Sequence, residues 1–144
     1  MEEKRILIVD DDEALLRSLV AILQPEGYVV DTASTGEEAI AKTSMRSYGL
    51  MLVDIELPDM EGTDLLQRLP IDSEDTAKIV LTGHPNMDKV VTALFRGADA
   101  YILKPVSPGE LLRIVEEKLT IRSNFRRMNR RKVADWIESR AQKV

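Results

Sequence analysis

A chain of 144 residues with 44% hydrophobic content can bury one sizeable core, so one domain with an appendage is expected. Cysteine is absent, which excludes disulfides and thiolate metal sites and suits a reducing cytoplasm. The net charge of −5 conceals an asymmetry: residues 1–120 hold 12 Lys and Arg against 23 Asp and Glu, whereas residues 121–144 hold 8 against 2, so an acidic body carries a basic tail with a different job.

The amino terminus leads straight into a strand. Ile6–Val9 is a short branched apolar run, and Asp10, Asp11, Asp12 and Glu13 follow it at once. Leu15, Leu19, Ile22 and Leu23 then recur at helical spacing until Pro25 and Gly27 end the pattern. The helix macrodipole favours acids in a first turn and accounts for Asp12 and Glu13, but Asp10 falls at the strand's end, outside that explanation. Tyr28–Ala33 reads as a second strand, and Ser34-Thr35-Gly36-Glu37 has capping-box spacing ahead of a helix carrying Ala39, Ile40 and Ala41.

Leu50–Asp54 is a third strand, apolar on both faces as the middle of a parallel sheet requires, and Pro58, Asp59 and Gly62 turn the chain after it. Leu65, Leu66 and Leu69 mark a helix closed by Pro70, and residues 72–76 form a polar loop. Ile79–Leu81 is a fourth strand ending on Thr82-Gly83-His84-Pro85, followed by a helix with Val90, Val91, Leu94 and Phe95 that stops at Gly97. Ala100–Leu103 is a fifth, ending on Lys104-Pro105. Ser107-Pro108-Gly109-Glu110 then supplies an N-cap, a proline at the first helical position and a capping-box acid for the last helix.

Five alternations of strand and helix predict an α/β fold with a doubly wound parallel sheet, helices on both faces and every strand pointing its carboxyl end the same way. Asp10, Asp11, Asp54, Thr82 and Lys104 then share one rim. Each pair of carboxylates at ~5 Å repels by about 3 kcal/mol at an effective dielectric near 20, so the cluster needs a cation or a raised pKa. All its ligands are hard oxygen donors, which suit Mg²⁺ or Mn²⁺. Lys104 and Thr82 could neutralise the equatorial oxygens of a phosphoryl group, leaving Asp54 as a carboxylate nucleophile that forms an aspartyl phosphate. Taken alone, Asp54 is also explained as the start of a turn.

Together, Ile8-Val9-Asp10-Asp11, Val53-Asp54 with Leu57-Pro58-Asp59-Met60-Glu61-Gly62, Leu81-Thr82, and Gly97-Ala98-Asp99-Ala100-Tyr101 running into Lys104-Pro105 resemble the receiver domain of two-component response regulators, from about Arg5 to about Leu119. The resemblance implies a flavodoxin-like, chemotaxis-regulator-like sheet of order 2-1-3-4-5. It implies Asp54 as acceptor of a phosphoryl group from a sensor histidine kinase, Asp11 and Asp10 as Mg²⁺ (or Mn²⁺) ligands with Asp54, and the Glu56 carbonyl completing the set. It further implies Thr82 and Tyr101 as the switch pair, Lys104 as the phosphate-pairing lysine and a cis bond to Pro105. Tyr101 is also explained as a half-buried strand aromatic. Glu56 and His84 occupy places where side chains of the family tune the lifetime of the phosphorylated state, although a lone histidine such as His84 is more often a solvated or locally bonded loop residue. Val106 replaces a common Phe. The expected product is a signalling switch with no enzymatic turnover beyond its own phosphoryl transfer and autodephosphorylation.

A downstream output protein or domain is the implied partner. The face that forms homodimers in many relatives lacks much of its charged network here, because Val90, Phe95, Ala100 and Ile114 stand where charges are expected, although apolar contacts could substitute. The tail, 121–144, has no strand or cap signal and could continue the last helix: Ile121, Phe125 and Met128 keep a four-three spacing, Val133, Trp136, Ile137 and Ala141 a shifted one, with Arg126, Arg127, Arg130, Arg131 and Lys132 between. It reads as a linker to an output domain, a coiled-coil arm, a nucleic-acid-binding segment or a solvated extension folded on its own acidic body. Two rivals remain: a haloacid-dehalogenase-type phosphatase, which also uses aspartyl phosphate and Mg²⁺, and a DNA-binding regulator acting through the tail. No apolar run approaches membrane-spanning length, so a soluble cytoplasmic protein without membrane contact is expected.

Overall fold

A strand whose side chains are apolar on both faces must lie between two layers of helix, and Leu50–Asp54 (β3) is buried at all five positions. The computed structural model describes residues 4–70, 75–83 and 86–142. In it β3 is the centre of a five-stranded parallel sheet of order β2-β1-β3-β4-β5, with β1 at Arg5–Val9, β2 at Val29–Ala33, β4 at Ala77–Thr82 and β5 at Ala100–Leu103. The helices are α1 (Glu13–Leu23), α2 (Gly36–Met45), α3 (Gly62–Arg68), α4 (Met87–Phe95) and α5 (Pro108–Gln142).

The two-residue alternation of each strand divides the core. Ile6, Ile8, Leu50, Leu52, Ile79 and Leu81 face Leu16, Leu19 and Leu23 of α1 and Leu111 and Val115 of α5. Leu7, Val9, Met51 and Val53 face Ala39 of α2 and Leu65 of α3, while Val80 packs with Leu66 and with Ala93 of α4. Register then fixes the rim. Val9 pairs with Val53, Asp54 with Leu81 and Thr82 with Leu103, so the residues that end or follow β1, β3, β4 and β5 emerge side by side.

Some local structure departs from the sequence reading. The N-cap of α2 is Thr35, whose side chain accepts from Glu38 N–H, and Glu38 returns a carboxylate to Ser34 N–H. The pair is therefore shifted by one residue from Ser34 and Glu37, because Gly36 and Glu37 donate their N–H groups to Asp59, 2.8 and 3.0 Å away in the loop after β3. β4 starts two residues earlier than the apolar run. Lys78 is buried there because its backbone exchanges hydrogen bonds with Asp99 while its ammonium donates to the Thr76 carbonyl. Of the predicted polar loop, residues 72–74 lie outside the described residues.

α5 starts at Pro108 and continues without a break for 35 residues, about 52 Å at the standard rise. Arg122 is held by Asp99 at 2.6 Å, and beyond it Met128, Val133, Trp136 and Ile137 are exposed.

Gly62 ties the loop after β3 to α3. A Cβ there would stand 2.2 Å from the Asp54 carbonyl oxygen and 3.0 Å from Ile55 Cα, both backbone, whereas a Cβ on Gly36 would meet only the side chain of Met60, which can move. Gly62→Ala is expected to lower unfolding free energy by roughly 1–3 kcal/mol, and Gly36→Ala by clearly less, in urea denaturation.

Candidate functional site

At the carboxyl edge of the sheet the predicted residues converge. Asp10, directly after β1, is fully buried; its Oδ1 accepts from Asp12 N–H at 2.9 Å and its Oδ2 from Lys104 Nζ at 2.8 Å. Asp54 closes β3 with only 7% of its surface exposed, its Oδ1 accepting from Glu56 N–H at 3.2 Å and its Oδ2 lying 3.4 Å from Lys104 Nζ. Asp11 is exposed beside them. Among the described residues these three carboxylates form the one acidic group able to share an ion, with one oxygen from each lying within 4.8 Å of the others.

The remaining wall comes from β4 and β5. Thr82 is buried at the end of β4, and its carbonyl accepts from Lys104 N–H at 2.8 Å. Lys104 follows β5 and is joined to Pro105 by a cis bond. Together with Asp11, Asp54, Glu56 and Gly83, Thr82 and Lys104 line an open cleft of about 370 Å³. Tyr101 lies on β5 with 44% of its surface exposed, as expected of a half-buried strand aromatic and also open enough to move. His84 lies outside the described residues. A larger groove of about 500 Å³ opens at the opposite end of the strands, but Lys4, Glu26, Glu116 and Arg127 mix charges around it without convergence.

Electrostatics follow from this crowding. Burial pushes the Asp54 carboxyl above the ordinary carboxylate value and the Asp10 charge adds to it, while Lys104 and the Glu56 N–H pull the other way and lose. Burial pulls the Lys104 ammonium down, but its hydrogen bond to Asp10 and the charges of Asp54 and Asp10 outweigh that and leave it above the ordinary lysine value. Lys104 is therefore held charged between two buried acids. Three carboxylates and one ammonium leave two negative charges over, and the donors are all oxygen. That set fits Mg²⁺ or Mn²⁺.

Sequence reasoning passed over Lys89, in the first turn of α4. Its Nζ lies 3.3 Å from Glu61 and 3.8 Å from Glu56, the second of which lines the cleft. No local pattern marks it, because its partners lie on the loop after β3.

The sequence profile of the response regulator receiver domain matches residues 6–116. The cell cycle transcriptional regulator CtrA of Caulobacter vibrioides is 34% identical over 108 residues, covering 75% of this chain and 47% of the relative. The alginate biosynthesis transcriptional regulatory protein AlgB of Pseudomonas aeruginosa is 32% identical over 143 residues, covering 96% of this chain and 32% of the relative, so the chain spans half the length or less of these curated relatives. The crystal structure of a CheY-like response regulator receiver domain protein from Methanospirillum hungatei superposes with a TM-score of 0.80 at 47% identity, covering 83% of this chain and 96% of that one.

Because the ionised form of Asp54 is the disfavoured one in the fold, the neutral isostere relieves the crowding. Asp54→Asn is expected to raise the melting temperature by a few degrees in a metal-free, chelator-containing buffer at neutral pH, followed by circular dichroism. A fall would show that pairing with Lys104 dominates.

Proposed function

The chain belongs to the response regulator receiver family, and from that premise we propose that Asp54 accepts a phosphoryl group from a phosphohistidine of a sensor kinase. The observation that supports this best is Lys104 held between Asp10 and Asp54, beside a cleft that Asp11, Asp54 and Glu56 also line. A carboxylate oxygen of Asp54 attacks phosphorus, the bond to the imidazole nitrogen breaks, and the electron pair leaves with the imidazole. The product is an aspartyl phosphate. Asp10, Asp11, Asp54 and the carbonyl of Glu56 are the groups that would hold Mg²⁺ or Mn²⁺, which when bound supplies positive charge to the transferring oxygens.

This chain's own groups do the rest. Lys104 pairs with a phosphoryl oxygen from the position where it now meets Asp54, and the Thr82 hydroxyl turns towards the same group. Tyr101, exposed on β5, follows Thr82, and the surface of α4, β5 and α5 changes its population of states. Val91, Leu94, Phe95, Tyr101 and Leu103 are exposed on α4 and β5, with Phe95 at 88%. An output protein or domain, or a second copy, docks there through apolar contacts in place of a charged network. Family membership sets aside the phosphatase reading.

We assign residues 1–120 to the receiver body and 121–144 to a basic helical linker towards an output element. The longer transcriptional relatives CtrA and AlgB support an output of that kind. Direct nucleic-acid binding by the tail is the second use its charge allows. Among the described residues no helix is long and apolar enough to cross a membrane, in keeping with a cytoplasmic setting beside the kinase.

Incubation with acetyl phosphate and Mg²⁺ is expected to add one phosphoryl group to the unsubstituted chain, none to Asp54→Asn, and to label Lys104→Met at least about tenfold more slowly, read by intact mass. Undiminished labelling of Asp54→Asn would overturn the assignment.

A further inference from the structure

Lys89 reaches from α4 to a small closed loop. Glu56 and Glu61 form an antiparallel bridge across it, and Leu57 N–H donates to the Met60 carbonyl at 3.2 Å, so the two acids stand together at its neck. Lys89 Nζ faces both, 3.3 Å from Glu61 Oε1 and 3.8 Å from Glu56 Oε1. The backbone of Glu56 is tied to Asp54 through its N–H. The residue borders the cleft, and its side chain, 66% exposed, is free to swing.

We infer that Lys89 is a positioning residue for phosphorylation: it holds the Glu56 carboxylate against α4 and away from the mouth of the cleft. The inference rests on Asp54 being the acceptor. A cleft that already holds three carboxylates repels an anionic phosphoryl donor, and a fourth carboxylate leaning over the entrance adds to that repulsion. Lys89 prevents this by giving Glu56 a partner on the far side of the loop. Arg96, at the other end of the same helix, pairs with Asp64 at 2.7 Å and does not line the cleft, so it supplies a matched control for loss of positive charge from α4.

The pair is partly exposed, which limits the effect to roughly two- to fivefold. The test is the initial rate of labelling by acetyl phosphate with Mg²⁺ in the full chain. Lys89→Met is expected to slow it by that factor, Lys89→Met/Glu56→Gln to match Glu56→Gln alone, and Arg96→Met to match the unsubstituted chain. The deficit of Lys89→Met should shrink as added salt screens the repulsion. A double variant as slow as Lys89→Met, or a Lys89→Met chain as fast as the unsubstituted one, overturns the positioning role alone. Failure of the unsubstituted chain to label overturns both this role and the acceptor reading beneath it.

Discussion

A parallel sheet brings the ends of its strands to one edge, and here that edge gathers three carboxylates, two of them paired with a single lysine. Two of the acids are buried, so water cannot screen them from one another. Lys104 lies between Asp10 and Asp54 and offsets part of the repulsion. The rest stays in the fold as an unbalanced negative charge. Local stability is given up at the place where an ion and a phosphoryl group would gain most from it.

The surroundings of the cluster divide into a rigid part and a movable part. Asp10, Asp54 and the Thr82 backbone are fixed by the ladder registers and by a core with fully buried leucine, isoleucine and valine on both faces. The loop after β3 is closed by its own backbone hydrogen bonds and by Asp59 capping α2, and partly exposed ion pairs join it to the start of α4. Hydrogen bonds from Glu37 N–H and Gly36 N–H keep the Asp59 carboxyl below its ordinary value. The exposed ion pairs are weak singly and rearrange at little cost. Asp99 plays another part, joining β4 to α5 through Lys78 N–H and Arg122 at the place where the helix leaves the body.

Much of this was legible in the residues. Four of the five strands announce themselves by apolar runs that end in polar groups, and a parallel arrangement follows from the alternation with helices. The rim residues needed no side-chain geometry, because strand direction alone places Asp10, Asp54 and Thr82 together. What escaped depends on contacts between segments distant in sequence. Ser34 and Glu37 have the spacing of a cap, yet Thr35 and Glu38 form it because Asp59, more than twenty residues away, occupies the first amides of α2. The fourth strand begins at Ala77, ahead of its apolar run, because Asp99 accommodates Lys78. Lys89 carries no local signature, since its partners lie on a loop reached only after the sheet has formed.

The rim's excess negative charge, carried by oxygen donors alone, calls for a single divalent cation. Titration of the unsubstituted chain and of Asp11→Asn with Mn²⁺, followed by electron paramagnetic resonance of the free ion, tests it most directly. Saturable binding of a single ion per chain, weakened at least about tenfold by the loss of the exposed carboxylate, is the predicted result. Equal affinity in the two chains, or no saturable binding in either, would contradict it.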